Sequence, residues 1–239
     1  MNQQAGKNLP AFFMTEPAPC PYLEGQWERK LFTHLLGENA DMVNFALSQA
    51  GFRRSQTIAY RPACDSCNAC KSTRVKVADF NPKQSFRRIL NRNADLTSKV
   101  ITASASREQF DLLRLYLDHR HEDGGMADMT SLDYIEMVEE SAIDTHLVEY
   151  RDSDDKLIAC LLADRMPDGI SMVYSFFNPL EKQRSFGSYI ILDQIARAKE
   201  NKFPFVYLGY LVENCQKMAY KKRFQPLQYL DENGWVDAS

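Results

Sequence analysis

The sequence predicts an α/β chain of the α+β kind, and three stretches carry that prediction. Between Asp144 and Phe177 the segments THLVEY, KLIACLLADRM and ISMVYSFF read as strands, joined by RDSDD and PDG, both good hairpin turns, so this region is an antiparallel meander. After it, SYIILDQIARAKE has helical periodicity and FPFVYLGY returns to strand character. Before it, residues 107–140 read as two helices, while the first hundred residues read as short strands around one or two helices. With 239 residues, 44% of them hydrophobic, the chain can bury one large core or two modest ones. A soft boundary near residue 100 divides it into a smaller mixed N-terminal domain, 1–100, and a domain over 101–239. No Pro-, Gly- or Ser-rich linker marks the boundary, so the two are expected to pack closely.

In order, AFFMTE reads as a strand, NADMVNFALSQ as a helix closed by Gly51, and FRRSQTIAY as an alternating strand that runs into the cysteine loop PACDSCNAC. STRVKV alternates again. Asn81-Pro82 breaks the chain, Ser85 is placed to cap a helix, and FRRILNRN gives that helix a face of Arg87, Arg88 and Arg92. SKVITAS is strand-like. REQFDLLRLYLDHRH sets Phe110, Leu113 and Leu117 on one helical side, and an acidic helix follows around LDYIEMVEE. Beyond the meander, NPLEKQRSFGS is a polar loop. The chain closes with FPFVYLGY, a helix predicted over ENCQKMAYKKR, and a strand around PLQYL.

No basic segment leading an apolar run stands at the start, and no 18 apolar residues are consecutive, so neither a signal peptide nor a membrane span is expected and the reading is cytoplasmic. Six cysteines are too few for a disulfide scaffold. In a reducing compartment they are left to metal ligation, catalysis or burial. The net charge of -3 hides an uneven distribution: Lys71 to Lys99 holds eight Lys or Arg against two acids, and Asp118 to Asp155 holds thirteen acids against two bases. The bland reading of each run is a solvated helix face.

The order of meander, polar turn, helix, strand, helix and strand is similar to the GCN5-related N-acetyltransferase fold, and QRSFGSY falls where that fold has its phosphate-binding turn. Arg184, the small Ser185 and Gly187, and the free N–H groups opening the next helix make an anion cradle. Tyr189 departs from the pattern at the second small position, which argues against acetyl-CoA. Three longer segments resemble one family, the aspartate/glutamate leucyltransferases, relatives of the arginyl-tRNA protein transferases: PCPYLEGQ at 19–26, GFRRSQTIAYRPACDSCNACKSTRVKVADFNPKQSFRRILNRN at 51–93, and VYSFFNPLEKQRSFGSYIILDQI continuing to YLGYLVENCQKMAYKKRFQPL at 227. The resemblance implies two domains, the second acetyltransferase-like. It also implies transfer of leucine from leucyl-tRNA onto proteins beginning with Asp or Glu, which marks them for N-degron proteolysis. Arginine as payload, an acetyl-CoA-dependent acetyltransferase, and a non-enzymatic RNA-binding metal module are the alternatives.

This chemistry asks for little from a nucleophile. The donor is an activated ester, and the acceptor α-amine, with a pKa of about 7.7 to 8.0, is appreciably neutral near pH 7. Positioning and oxyanion stabilisation then carry much of the acceleration, which agrees with the absence of a G-x-S-x-G motif or an evident Cys/His pair. No cofactor is required for transfer. For tRNA phosphates the candidates are Lys71, Arg74, Lys83, Arg87, Arg88 and Arg92, with Lys222 and Arg223 beside Lys221 as a second patch. For the reaction centre they are Tyr174, Ser175, Phe177, Arg184, Ser185 and Gly187, together with Tyr207, Tyr210, Lys217, Tyr220 and Lys221. On a regular strand Tyr207 and Tyr210 face opposite ways. His119 and His121 end a helix, where the dipole favours them, and His121 with Asp123 keeps a small acid–base claim. Cys160 is expected in the core and Cys215 in packing or pocket lining.

Cys64, Cys67 and Cys70 have a spacing that suits zinc or an iron–sulfur cluster, or else a corner of reduced thiols. The family resemblance places Cys20 near them as a fourth ligand, and its eukaryotic members carry a cysteine-bound cluster in their N-terminal domain.

Overall fold

The computed structural model describes residues 10–120 and 126–238. It begins with short strands β1 (Phe13–Met14), β2 (Ala18–Pro19), β3 (Trp27–Glu28) and β4 (Lys30–His34). Helix α1 (Ala40–Gln49) turns Ala40, Asn44 and Leu47 inward and is closed, as expected, by Gly51, whose φ of +85° suits glycine. β5 (Arg53–Ser55) and β6 (Ile58–Pro62) form a hairpin and complete an antiparallel sheet of order β1-β4-β6-β5. Leu35, Ala40, Leu47, Phe52 and Ala59 fill the small core between this sheet and α1.

After the cysteine loop, β7 (Cys70–Lys76) leaves that sheet. Helix α2 (Gln84–Arg92) follows, with Phe86 and Ile89 buried and Arg87, Arg88 and Arg92 on the exposed face the sequence predicts. Its N-cap is Lys83 in extended backbone, two residues before the expected Ser85. β8 (Thr97–Thr102), α3 (Arg107–Arg120) and α4 (Ser131–Glu139) come next. Thr130 and Asp133 open α4 with a reciprocal capping box. The meander is β9 (Thr145–Arg151), β10 (Leu157–Met166) and β11 (Gly169–Phe177), followed by α5 (Phe186–Glu200), β12 (Phe205–Val212), β13 (Leu227–Asp231) and β14 (Gly234–Asp237).

Eight strands form one mixed sheet, β14-β13-β7-β12-β11-β10-β9-β8, in which β11 and β12 are parallel and the other described pairs antiparallel. Helices cover both faces, so β10 is buried everywhere except Arg165 and reads as an almost continuous apolar run. Leu161 and Ala163 pack with Phe86, Phe186 and Ile190 on the α2/α5 side. Cys160, Leu162, Leu113, Leu117 and Tyr134 pack on the α3/α4 side, so Cys160 is core, as its alternation predicts. Among the described residues no helix is long and apolar enough to cross a membrane.

Two parts of the sequence reading change. β7, assigned by sequence to the first domain, lies between β12 and β13, its Val75 opposite both Val206 and Leu227, and α2 packs on α5. A division at residue 100 is therefore crossed by a central strand of the main sheet. The helix expected over 213–223 is a run of turns with a short 3-10 helix, Ala219–Arg223, because Cys215, Lys221 and Phe224 all turn inward at spacings that no single α-helical face provides.

The small sheet is tied to the large one through a buried ion pair. Arg54 Nε and Nη2 donate to Asp164 Oδ2 and Oδ1 at 2.8 and 2.7 Å, Arg54 Nη1 donates to the Gln56 carbonyl, and Thr145 Oγ1 donates to Asp164 Oδ1. Both charged side chains are almost fully buried. Replacing Asp164→Ala strands the guanidinium, and the expected loss of unfolding free energy is about 3 to 5 kcal/mol, read by urea denaturation at neutral pH. A loss below about 1 kcal/mol would show that the bidentate pair does not hold the two sheets together.

Candidate functional site at the opening of the sheet

β11 and β12 stay paired only from Gly169–Ser171 to Phe205–Tyr207. At that point both strands bulge. Val173 is left over between the Ala163–Met172 and Leu162–Tyr174 pairs, and Leu208 between the Tyr207–Arg74 and Gly209–Thr73 pairs. Beyond the bulges no described pair joins the two strands, and a side chain from β5 occupies the gap. Arg53 Nη2 donates to the carbonyls of Met172 and Val173 at 2.9 and 3.2 Å. On the other strand the guanidinium lies so close to Gly209 that a Cβ there would stand 0.9 Å from Nη1. Gly209 also holds a φ of +75°, so both its space and its backbone require glycine.

The Leu208 bulge also answers a difficulty in the sequence. Tyr207 and Tyr210 turn to the same side: Tyr207 Oη lies 2.7 Å from Gln49 Nε2, and Tyr210 Oη reaches the carbonyls of Gly51 and Tyr60. Gln49 and Gly51 stand together at the end of α1, so both phenols tie β12 to the joint between the two sheets. Behind Tyr210, Lys221 is 6% exposed, and its Nζ donates to the Tyr210 carbonyl at 2.6 Å. Burial, then the nearby Arg53 cation, pull its ammonium down to about 7, with Cys215 weakly opposing.

An aromatic wall lines the opening toward α3. Tyr116 meets Phe177 edge-on at 5.0 Å, and the Arg120 guanidinium lies over the same ring at 5.5 Å. Tyr174, on β11, lies tilted against Phe176 with ring centroids 6.4 Å apart, and Tyr220 is 40% exposed; burial first, then Tyr116, raise both phenols. A Cβ on Gly187 would come within 3.3 Å of Phe177, so glycine here lets α5 begin against that ring. Ser185 precedes the helix in the left-handed region, and the first N–H groups of α5 have no intrahelical acceptor.

Several sequence candidates take other places. Arg184 does not open into the cradle: it donates to Asn93 Oδ1 at 2.9 Å and to Asp95 at 2.5 Å, and pairs with Glu181, because the end of α2 packs against the start of α5. Tyr189 is buried against Tyr150. Arg74 does not lie on the exposed basic surface. It is buried, donates to Gln228, Gln49 and Tyr207, and lies between the Phe205 and Trp235 rings at 3.6 and 4.2 Å, because β7 is an inner strand. Ser175 is half-buried on β11 and Lys217 is exposed on a turn. Lys83, Arg87, Arg88, Arg92, Lys222 and Arg223 are exposed, and Arg223 lies over the Phe86 ring at 5.0 Å, so the two basic patches meet on one surface. His119 Nδ1 stands 2.9 Å from the Leu115 carbonyl in the last turn of α3, whereas His121 and Asp123 lie outside the described residues. Sequence reasoning passed over Arg53 and Arg54. Two adjacent arginines on a strand face opposite sides, so at least one had to point inward, and that was the available signal.

Cys20, Cys64, Cys67 and Cys70 line one cavity of about 460 Å³ with Lys71, Tyr22, Trp27 and Tyr210. Burial, then Cys20, Cys64 and Cys67, push the Cys70 thiol up to about 12. Among the described residues, however, no three His, Cys, Asp or Glu side chains converge so as to hold a metal ion. Cys215 is buried in the adjoining cluster around Tyr210.

Two family models match the chain, "Arginine-tRNA-protein transferase, N terminus" over residues 18–88 and "Arginine-tRNA-protein transferase, C terminus" over residues 108–231. The chain is 56% identical to an aspartate/glutamate leucyltransferase of Parvibaculum lavamentivorans, covering 98% of each chain. It is 52% identical to one of Afipia carboxidovorans over 99% of this chain and 97% of that one. Among solved structures it is similar to L-PGS from Bacillus licheniformis, with a TM-score of 0.48 at 15% identity over 73% of this chain and 54% of the other.

The state of Lys221 has a consequence for stability. Its ammonium is lowered from 10.5 to about 7, so between those values the folded chain binds fewer protons than the unfolded chain. Measured against a Lys221→Met variant, the wild type therefore gains about 1.4 kcal/mol of stability per pH unit as pH rises from 7 toward 10, with its disadvantage complete below pH 7. Denaturant titrations of both proteins at pH 6, 7.5 and 9 read this difference, and a constant difference would contradict it.

Proposed function

Because the chain belongs to the arginine-tRNA-protein transferase family, we propose that it transfers leucine from leucyl-tRNA to the N-terminal amine of proteins beginning with Asp or Glu. The observation that carries this reading is the 56% identity, over 98% of both chains, to an aspartate/glutamate leucyltransferase. The opening between β11 and β12 is where the two substrates meet. The terminal adenosine enters along the start of α5, where the helix N-terminus favours phosphate and Phe177, Tyr174 and Tyr220 offer rings for a base to stack on. The exposed Lys83, Arg87, Arg88, Arg92, Lys222 and Arg223 take the phosphates of the acceptor stem, with Lys71 and Lys217 at the margins.

In the reaction the neutral α-amine attacks the ester carbonyl of leucyl-tRNA and forms the new amide bond. The ester C–O bond breaks, the ribose hydroxyl leaves with a proton, and the amine loses one. Holding both reactants in the opening supplies the effective concentration that a two-substrate acyl transfer needs. No cofactor enters this reading. The thiols of Cys20, Cys64, Cys67 and Cys70 serve as the corner from which β7 starts along β12. The reaction belongs to the cytoplasm, where charged tRNA is made, and its product is a substrate for N-degron proteolysis.

The reading is tested with tRNA carrying labelled leucine or arginine and peptides beginning with Asp, Glu, Lys or Arg. Leucine label on the acidic-start peptides alone is expected; label on none of them sinks the proposal. Reversing Arg87→Glu and Arg88→Glu together is expected to weaken tRNA binding and to reduce the slope of log K against log salt by about 1.5 to 2. An unchanged slope would remove α2 from the tRNA surface.

A further inference from the structure

Two cations at the opening lack counter-ions. Among the described residues neither Arg53 nor Lys221 has a carboxylate within 4.0 Å, while the other deeply placed arginines do: Arg54 on Asp164, Arg74 on Asp168, Arg184 on Asp95 and Arg197 on Asp193. Lys221 is buried and Arg53 half-buried, and cations withdrawn from water without a counter-ion are unfavourable. The arrangement is that of a site left open for an anion.

We propose that Arg53 and Lys221 form the subsite that receives the side-chain carboxylate of the acceptor's first residue. This rests on the leucyltransferase reading and names what selects Asp and Glu within it. The guanidinium is held in place: both protons of Nη2 are committed to the Met172 and Val173 carbonyls, and Nη1 is seated on Gly209. The N–H groups of Nε and Nη1 have no acceptor among the described residues, and each remains a single charged donor for an anion beside the guanidinium. Lys221 adds a second cation, anchored at the carbonyl of Tyr210, the residue after Gly209 on which Arg53 rests.

The position also fits the chemistry. Arg53 stands where β11 and β12 separate, and Tyr174 and Phe177 follow on β11 just beyond that point. A carboxylate anchored on Arg53 leaves its own α-amine only a few bonds away, at the mouth where the ester carbonyl arrives. A nucleic-acid phosphate is the less suitable anion, because Lys221 is almost wholly enclosed, whereas a backbone phosphate carries a ribose on each side. The depressed ammonium of Lys221, lowered first by burial and then by Arg53, is what a cation shows beside another cation with no anion between them.

The subsite is read without catalysis by calorimetric titration of Asp-Ala and Asn-Ala dipeptides. The wild type is expected to bind Asp-Ala at least about tenfold more tightly, and Lys221→Met and Arg53→Gln each to lose that preference. Lys221→Arg, which keeps the charge, retains most of it. Arg53→Gln carries the test should Lys221→Met fail to fold. In transfer assays the same variants lower the kcat/KM ratio of Asp-start to Asn-start peptides, through KM on the acidic peptide. Equal wild-type affinities for the two dipeptides, or an unaltered preference in both variants, overturns the proposal. So does a loss confined to leucyl-tRNA affinity, which would put a phosphate in the subsite. Preserved dipeptide discrimination in a protein that transfers no leucine would overturn the transferase reading and leave the subsite standing.

Discussion

Backbone carbonyls inside a sheet need donors, and where β11 parts from β12 the carbonyls of Met172 and Val173 find theirs in one arginine. Much of the local architecture follows from that substitution of a guanidinium for a strand. β5 must lie against the opening for Arg53 to reach in. Position 209 must be glycine for the guanidinium to rest on β12. The bulge at Val173 aligns two successive carbonyls that would point apart on a regular strand. A strand in that place would have closed the sheet; an arginine satisfies the carbonyls and brings a positive charge to the parting.

The small N-terminal sheet is consequently part of the site. Its β5 carries Arg53 to the opening and Arg54 to Asp164 on β10, one side chain to each side of the strand. The chain then threads β7 into the large sheet between β12 and β13, so the two regions share hydrogen bonds as well as an interface. This interleaving fixes the basic face: α2 packs on α5, and Arg223 lies over Phe86, so charges more than a hundred residues apart share one surface beside the aromatic opening. A long polyanion and a short acidic peptide can thus approach one centre from different sides.

The legible parts of the fold were those set by local periodicity. The meander, the amphipathic α2 with its arginine face, α5, and the cap at Gly51 appear where the sequence places them, since each depends on neighbours within a few residues. The failures depend on distant partners. STRVKV is plainly a strand, yet nothing in its own residues says that it is an inner strand of the other domain's sheet, which is why Arg74 looked like a surface cation and is stacked between Phe205 and Trp235. ENCQKMAYKKR has helical composition, but the inward pull on Cys215, Lys221 and Phe224 outweighs propensity. QRSFGSY does open a helix against the Phe177 ring, while its arginine turns back to Asn93 and Asp95, residues 91 and 89 positions earlier.

The sequence by itself determined the family, the mixed α/β class, the exposed arginines of α2 and the gathering of chemistry-bearing residues in segments 51–93 and 174–227, because motifs and periodicity are properties of contiguous residues. Only the tertiary structure decided which cations are spent and which are free. Arg54, Arg74 and Arg184 meet carboxylates that folding brings to them, and among the described residues Arg53 and Lys221 do not. Whether a charge has a counter-ion depends on what lies within a few ångströms in space, and a bulge of one residue in β12 was enough to turn Tyr210 beside Tyr207 and set Lys221 behind it.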